Sequence, residues 1–418
     1  VRVIGSKPSL SAETETESCK VYALQDFLFL SDADNFSEYR FIGFFLLYLC
    51  MMKMLCTRVA RKLLAQDTVF RCVSGFFRSV LPYNPQVVAQ AYRDLSACSP
   101  DPGYSALRQN QVETAPPYDV QIIIPAYNAE AFIAGCLDSV LRLDTAFRIW
   151  IVVVNDGSTD RTGEILQQYA GDSRIQIMNQ ENRGFSGARN RGLQSIRARY
   201  VLFLDADDEL LDLDSLVRRA DETHADITEG GYVTFGASAN QQTFRHEKCV
   251  GKDAVRQFYG YPWGKLFRAE LFERISFPEG YWFEDSIMSL LLFPMCKVGA
   301  TTDTLVYRYR LNPNGITAKS RCSAKIVDCF WVTARLLDDH KQLGLPFDED
   351  FARVMLIEIR INALRLMELN RRKLEQDVFL LTIALWEQFF ASDCCASYPL
   401  VRALRQRDFG LYRLACWR

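Results

Sequence analysis

Residues 201–211 read VLFLDADDELL. Four apolar residues, Val201 to Leu204, lead straight into Asp205, Asp207 and Asp208. An apolar run of that length, bounded by turn-forming residues, is a buried strand. Acids gathered at the end of such a strand lose hydration and repel one another unless a cation lies between them. Asp205 and Asp207 stand two apart, with Ala206 small enough to let a ligand approach the backbone. Hard oxygen donors of this kind suit Mg²⁺ or Mn²⁺, which completes its shell with phosphates and water.

Working outward from this stretch, three more strands precede it: VQIIIP at 120–125, IWIVVVN at 149–155 and RIQIMNQ at 174–180, with YVLFLD at 200–205 as the fourth. The β-branched run at 149–155 implies burial on both faces. Between the strands lie three helical patterns. AEAFIAGCLDSVLRL sets Phe132, Ile133, Cys136, Leu137, Val140 and Leu141 on one face; STDRTGEILQQYA offers Ser158 as N-cap; FSGARNRGLQSIRA is the third. Regular alternation with short loops predicts an α/β fold, a Rossmann-like, mostly parallel sheet flanked by helices. Past about residue 230 the alternation fails, and 321–418 reads as a helical C-terminal region.

Ligands of open parallel sheets bind outside the carboxyl ends of the strands. Those ends carry Pro125-Ala126-Tyr127-Asn128, Asn155-Asp156-Gly157-Ser158, Asn179 to Gly184, and Asp205 to Asp208. Singly, each is weak evidence: Asp-Gly-Ser is an ordinary turn, and paired aspartates are commonly solvated. Their order and shared edge make a nucleotide pocket. The first strand is followed by no GxGxxG and the chain has no Walker loop, so a dinucleotide-binding oxidoreductase and a P-loop enzyme are disfavoured. A net charge of -2 argues against a nucleic-acid partner. The 13 cysteines include no CxxC pair and read as reduced thiols; three widely separated histidines argue against a histidine metal site or a Ser–His hydrolase.

In this order, IIIPAYNAEAFIAGCLDSVL, VVVNDGSTDRT, NRGFSGARNRGL and VLFLDADD resemble the family 2 glycosyltransferases of GT-A fold, over roughly 120 to 320. The resemblance implies an inverting, metal-dependent transfer of a sugar from a nucleotide donor, UDP-linked in most such proteins, to a hydroxyl of a glycan or lipid-linked acceptor. It implies Asp207 as ligand of Mn²⁺ or Mg²⁺, and Asp205 at the ribose or assisting the metal. Asp156, beside Gly157, would recognise the base, and Pro125, Ala126, Tyr127 and Asn128 would line the nucleotide pocket. Arg189 would face the nucleotide or, equally, orient Asp205 or Asp156 through a salt bridge. YPWGKLFRAELF at 261–272 would set Trp263 and Lys265 beside the sugar and acceptor. FPEGYWFEDSIMSLLLF at 277–293 would supply Asp285 as the base, with Glu284 as its neighbour; the plain alternative is that the acids cap the following helix. YRYRLNPNGIT at 307–317 resembles a loop that closes over the diphosphate, involving Tyr309, Arg310 and Thr317, although Gly315 stands where relatives carry serine.

The chain divides into an N-terminal segment, 1–52; a helical and linker region, 53–118, with 95–118 the Pro- and Ser-rich connector; the transferase domain, 119–320; and the helical region, 321–418. FIGFFLLYLCMM at 41–52 is too short to span a bilayer unaided. No signal-peptide pattern precedes it, and residues 1–50 read as upstream translation with a natural start at Met51 or Met52. Residues 53–83 and 398–418 mix arginine and lysine with apolar residues, as packed helices or as amphipathic segments on a membrane surface. The expectation is a cytoplasmic protein, peripheral on the inner face of the membrane in the second case. Two other classes compete: a non-catalytic nucleotide- or glycan-binding scaffold, and a nucleotidyltransferase, which would show a glycine-rich basic first loop.

Overall fold

The computed structural model describes residues 64, 65, 70, 73–75, 77–236, 241–312 and 323–417. The readings made for 1–52, including the start at Met51 or Met52, and for Gly315 and Thr317 lie outside the described residues.

Nine strands form the principal sheet among the described residues. We label them β1 (Tyr118–Ala126), β2 (Ile149–Asp156), β3 (Ile175–Gln180), β4 (Ala198–Phe203), β5 (Glu209–Leu210), β6 (Ile227–Gly236), β7 (Thr243–Phe244), β8 (Lys265–Arg268) and β9 (Gly299–Leu311). Their order is β3-β2-β1-β4-β8-β6-β9-β5, with β7 beside β6. β3, β2, β1 and β4 run parallel, so the polar residues after each reach the same edge. β8 is antiparallel to both β4 and β6, which ends the regular alternation read from sequence.

Among the described residues the helices of six or more residues are α1 (Pro85–Cys98), α2 (Ile133–Leu141), α3 (Thr162–Gln167), α4 (Gly184–Leu193), α5 (Asp214–Thr223), α6 (Asp328–Gln342), α7 (Glu349–Met367), α8 (Arg372–Phe389), α9 (Pro399–Gln406) and α10 (Phe409–Trp417). Alternate residues of each parallel strand feed opposite layers, as the two-residue period of a strand requires. Ile122, Ile151 and Leu202 pack with α2 residues Ile133, Cys136 and Leu137. Ile123, Val201 and Phe203 face the other way, into one core with the C-terminal helices.

Two readings change. The pattern at 158–170 predicts a helix capped by Ser158, yet α3 starts at Thr162. The Ser158 hydroxyl instead accepts from the Asn128 amide at 3.1 Å, tying two loops together. The stretch read as a connector is ordered and bonded on both sides. Ser105 Oγ and the Ala106 amide donate to Asp339 of α6 at 2.6 and 2.7 Å. Ser99 Oγ reaches Asp328 at 3.3 Å, and Asn110 Nδ2 donates to the carbonyls of Phe272 and Ile275. Isolated proline and serine content suggests a tether; the buried carboxylates of α6, more than two hundred residues on, make it a strap.

Candidate active site

The first two strand ends interlock. β1 brings Pro125 and Ala126 to the edge, and Tyr127 follows, 52% exposed. Asn128, at φ 47°, accepts the Thr159 amide at 2.8 Å on its side-chain oxygen. Asp156 ends β2 almost fully buried. Its Oδ1 accepts from Gln180 Nε2 at 2.7 Å and from the Arg183 amide at 2.9 Å, whereas its buried Oδ2 has no partner. A buried acceptor left unpaired costs about 1–3 kcal/mol. The turn past it needs glycine: Gly157 sits at φ 69°, and a Cβ there would lie 2.8 Å from the Asn182 amide nitrogen.

The acid turn after β4 is held by one tyrosine. Tyr307 of β9 donates its hydroxyl to Asp208 Oδ2 at 2.7 Å and accepts the Asp205 amide at 3.2 Å. The Arg310 amide donates to Asp208 Oδ1 at 2.6 Å. Asp208 is thereby turned inward; burial, then the charges of Asp207 and Asp205, push its carboxyl well above the usual range. Arg310 stacks its guanidinium on Phe235 and Phe132 and donates Nε to the Asp207 carbonyl at 2.7 Å. Asn312 Nδ2 lies 3.2 Å from Asp207 Oδ2. Asp205 and Asp207 keep the outward positions.

Arg189 connects this turn to the second pair of acids. It projects, buried, from α4; Nη2 lies 2.9 Å from Asp205 Oδ1 and Nη1 lies 2.6 Å from Glu284 Oε1. Burial opposes its charge, but Asp205 and Glu284 outweigh that and hold the guanidinium firmly protonated. Burial pushes Glu284 up to about 7, against the pull of Arg189 and with some help from Asp285. Of the two roles open for Arg189, the geometry has the salt bridge to Asp205.

The turn bearing Glu284 and half-buried Asp285 is braced from behind by α7. Glu358 accepts from Ser286 Oγ at 2.6 Å, and Arg365 lies 4.0 Å over the ring of Phe283. Phe283 stands at φ 66°, a left-handed conformation unfavourable for an aromatic residue. Neither Glu358 nor Arg365 was singled out from sequence. The signal is visible in hindsight: Glu358 and Asn362 interrupt the stripe of Phe351, Met355, Ile359 and Leu366 that α7 buries.

Lys265 and Trp263, expected beside the sugar and acceptor, are held within the fold by their own partners. Lys265 is fully buried, its Nζ 2.7 Å from Glu229 Oε1 and 2.8 Å from the Tyr261 carbonyl. It makes no hydrogen bond or ion pair to Asp205 or Asp156 among the described residues. Burial pushes Glu229 up to about 7 although Lys265 opposes it, and burial pulls Lys265 down although Glu229 opposes that. His246 Nε2 lies 3.5 Å from Glu229, and burial, then Lys265, lowers its imidazole to about 4. The Trp263 indole stacks on Tyr261 at 4.7 Å and on Tyr307 and Tyr309 at 4.7 and 5.1 Å. With only 5% of it exposed, Trp263 backs the tyrosine that holds the acid turn.

Among the described residues no group of three or more His, Cys, Asp or Glu side chains forms a ready metal cage. The donor set nonetheless fits a hard cation that takes one or two carboxylates and fills its shell from phosphates and water. Asp205 and Asp207 offer such oxygens on one turn, and Asp208 is withdrawn from it.

Residues 121–281 match the model of the family described as Glycosyl transferase family 2. The chain is 36% identical to the Bacillus subtilis glycosyltransferase EpsJ, over 47% of this chain and 62% of that protein. It is 32% identical to Streptococcus pneumoniae glycosyltransferase GlyA, over 47% of this chain and 31% of GlyA. The chain thus spans less than two thirds of either relative. The crystal structure of S. aureus TarS 1-349 in complex with UDP-GlcNAc superposes with a TM-score of 0.51 at 18% identity, covering 71% of this chain and 89% of that one. That likeness extends to the fold. The four strand-end motifs, the sheet that aligns them and the family match lead to one conclusion: residues 121–281 are a domain of the glycosyl transferase family 2 type, within a GT-A fold that carries a helical C-terminal region.

Proposed function

We propose that this protein transfers a sugar, with inversion, from a nucleotide donor to a hydroxyl of a glycan or lipid-linked acceptor, with UDP as the nucleotide. The observation that carries the reading is the double grip of Arg189, which ties Asp205 on the donor side to Glu284 beside Asp285. One rigid, planar cation thereby fixes the distance between the diphosphate end of the site and the group that would take the acceptor's proton.

Asp156 offers its unpaired Oδ2 to the imide N–H of a uracil. Pro125, Ala126, Tyr127 and Asn128 form the neighbouring wall, with Gly157 keeping the loop close. Asp207, with Asp205, would hold Mn²⁺ or Mg²⁺; when bound, the ion supplies Lewis-acid stabilisation of the departing diphosphate. Asp285 accepts the proton of the attacking hydroxyl. Glu284 holds Arg189, and Ser286, anchored on Glu358, fixes the turn that aims Asp285. TarS, crystallised with UDP-GlcNAc, shares the fold and makes UDP the first nucleotide to try. The reading carries with it a cytoplasmic protein that meets lipid-linked acceptors at the inner face of the membrane.

The test is the thermal midpoint with UDP, with and without Mn²⁺, in wild type and Asp207→Ala. A ligand bound only by the folded state raises the midpoint. A Mn²⁺-dependent rise that disappears in Asp207→Ala is the expected result. No rise with any nucleotide diphosphate would favour the non-catalytic scaffold.

A further inference from the structure

A single carboxylate, Glu279, gathers three segments of the chain next to the loop that follows β3. Only 14% of its side chain is exposed. Its Oε2 accepts from Arg183 Nη2 at 2.6 Å, and its Oε1 from Arg108 Nη1 at 2.9 Å and Asn190 Nδ2 at 3.1 Å. Burial opposes its charge, but Asn190, Arg183 and Arg108 outweigh that and hold the carboxyl below its usual range. Asn190 belongs to α4, and Arg183 is the residue that enters that helix. Arg108 comes from the strap, ahead of the span that matches the family.

The Glu279 end of this contact is fixed by bonds on both sides of it. Before it, the Phe277 amide donates to Asn190 Oδ1 at 2.7 Å, and Asn190 Nδ2 donates to the Phe277 carbonyl at 2.8 Å. After it, the Tyr281 hydroxyl donates to Asp101 at 2.6 Å and the Trp282 amide to Asp328 at 3.0 Å. Gly280, at φ 83°, meets the strap so closely that an added Cβ would lie 3.0 Å from Pro102 Cβ. The other end is an exposed loop residue with two tasks. Arg183 grips Glu279 with its guanidinium, and its main-chain amide is one of the two donors on Asp156 Oδ1.

We propose that Glu279 is a positioning residue for the nucleobase, holding Asp156 through Arg183, with Arg108 of the strap as its second anchor. A carboxylate whose one oxygen accepts two donors cannot turn without giving up both, so pinning the Arg183 amide keeps Asp156 Oδ2 as the open acceptor. Preorganisation of this kind raises affinity without a contact to the ligand. The effect should be confined to the base, because the acid turn is held by a separate set: Arg189, Tyr307 and Asn312. The inference rests on the reading of Asp156 as the acceptor for a uracil N–H.

The test is calorimetric titration of the full chain with UDP and, separately, with pyrophosphate, both in the presence of Mg²⁺. Wild type should bind both. Glu279→Ala should weaken UDP by roughly fivefold, the upper value for a partly exposed ion pair, and leave pyrophosphate unchanged. Arg183→Ala keeps its main-chain amide and should match that loss. The double variant should be no worse than either single one, whereas independent roles would multiply to about twenty-five-fold. Unaltered UDP binding by Glu279→Ala, equal weakening of UDP and pyrophosphate, or a multiplied loss in the double variant each overturns the inference. Asp156→Asn separates it from the reading beneath it. There Gln180 and the Arg183 amide claim the oxygen and leave an N–H facing the base, so UDP should bind more weakly than in Glu279→Ala. If Asp156→Asn binds UDP like wild type, the base site falls and the inference with it. If Asp156→Asn loses UDP and Glu279→Ala does not, the inference alone falls.

Discussion

The crevice at the ends of β1, β2 and β4 and the aromatic block around Trp263 both bury charge, but they dispose of it oppositely. In the crevice, one acceptor is left open: Asp156 keeps an oxygen unpaired, while half-buried Asp205 and Asp207 are held by Arg189 and Asn312. In the block, the carboxylate is closed: Glu229 is answered by Lys265 and the Tyr259 amide, under stacked rings, with a neutral His246 3.5 Å away. An acceptor open at the edge of a sheet has room for a partner; a completed internal ion pair specifies packing. Residue type alone does not separate the two, since an exposed or buried carboxylate reads the same in sequence.

The comparison breaks most visibly at Asp285. Asp285→Asn should lower transfer roughly a thousandfold while preserving the UDP-induced rise in midpoint, because only the proton acceptor is lost. Transfer within tenfold of wild type would return Asp285 to the role of a helix cap. Lys265 sharpens it next. Lys265→Met strands the Glu229 carboxylate and should cost about 4 kcal/mol in denaturant unfolding. Lys265→Met with Glu229→Gln should recover most of that loss and keep the UDP response, whereas a vanished response would return Lys265 to the donor site.

The smallest effect is one of pH. The folded His246 imidazole is lowered from 6.5 to about 4, so between those values the unfolded chain binds the extra proton. This contribution is complete above pH 6.5 and is lost as pH falls through 4. Glu229, raised from 4.5 to about 7, has the opposite sign: its contribution is present below 4.5 and lost as pH rises through 7. The two slopes offset one another between 4.5 and 6.5. In His246→Gln the histidine slope goes, so the stability advantage of wild type over the variant should shrink by up to about 3 kcal/mol from pH 7 to pH 4. An advantage independent of pH would show that His246 titrates alike in both states.

Sequence made the strand-end turns legible because cause and consequence are neighbours there. Val201 to Leu204 is buried and Asp205 follows it; Val152 to Val154 is buried and Asp156 follows. The remainder depends on partners far along the chain. Arg189 meets Glu284 ninety-five residues on, and Ser286 meets Glu358 seventy-two residues on. Lys265 sits in a motif that the family resemblance attaches to the sugar, and only the pairing of β8 with β6, which sets Lys265 opposite Glu229, redirects it. Tyr307, the hub of the acid turn, was hidden in an alternating YRYR strand whose inward positions are Tyr307 and Tyr309.

The strap formed by residues 99–110 bears on how this molecule can be taken apart. A cut at residue 119 would strip Asp339 of Ser105 and Ala106 and Asp328 of Ser99, and would leave the carbonyls of Phe272 and Ile275 without Asn110. Each stranded buried group costs about 1–3 kcal/mol, against a total stability of about 5–15 kcal/mol for a domain. The family match ends at residue 281, before the helices that brace Phe283 and Ser286. That boundary records shared ancestry; the boundary of cooperative melting lies outside it, and an excised sheet would not inherit the folding of the whole.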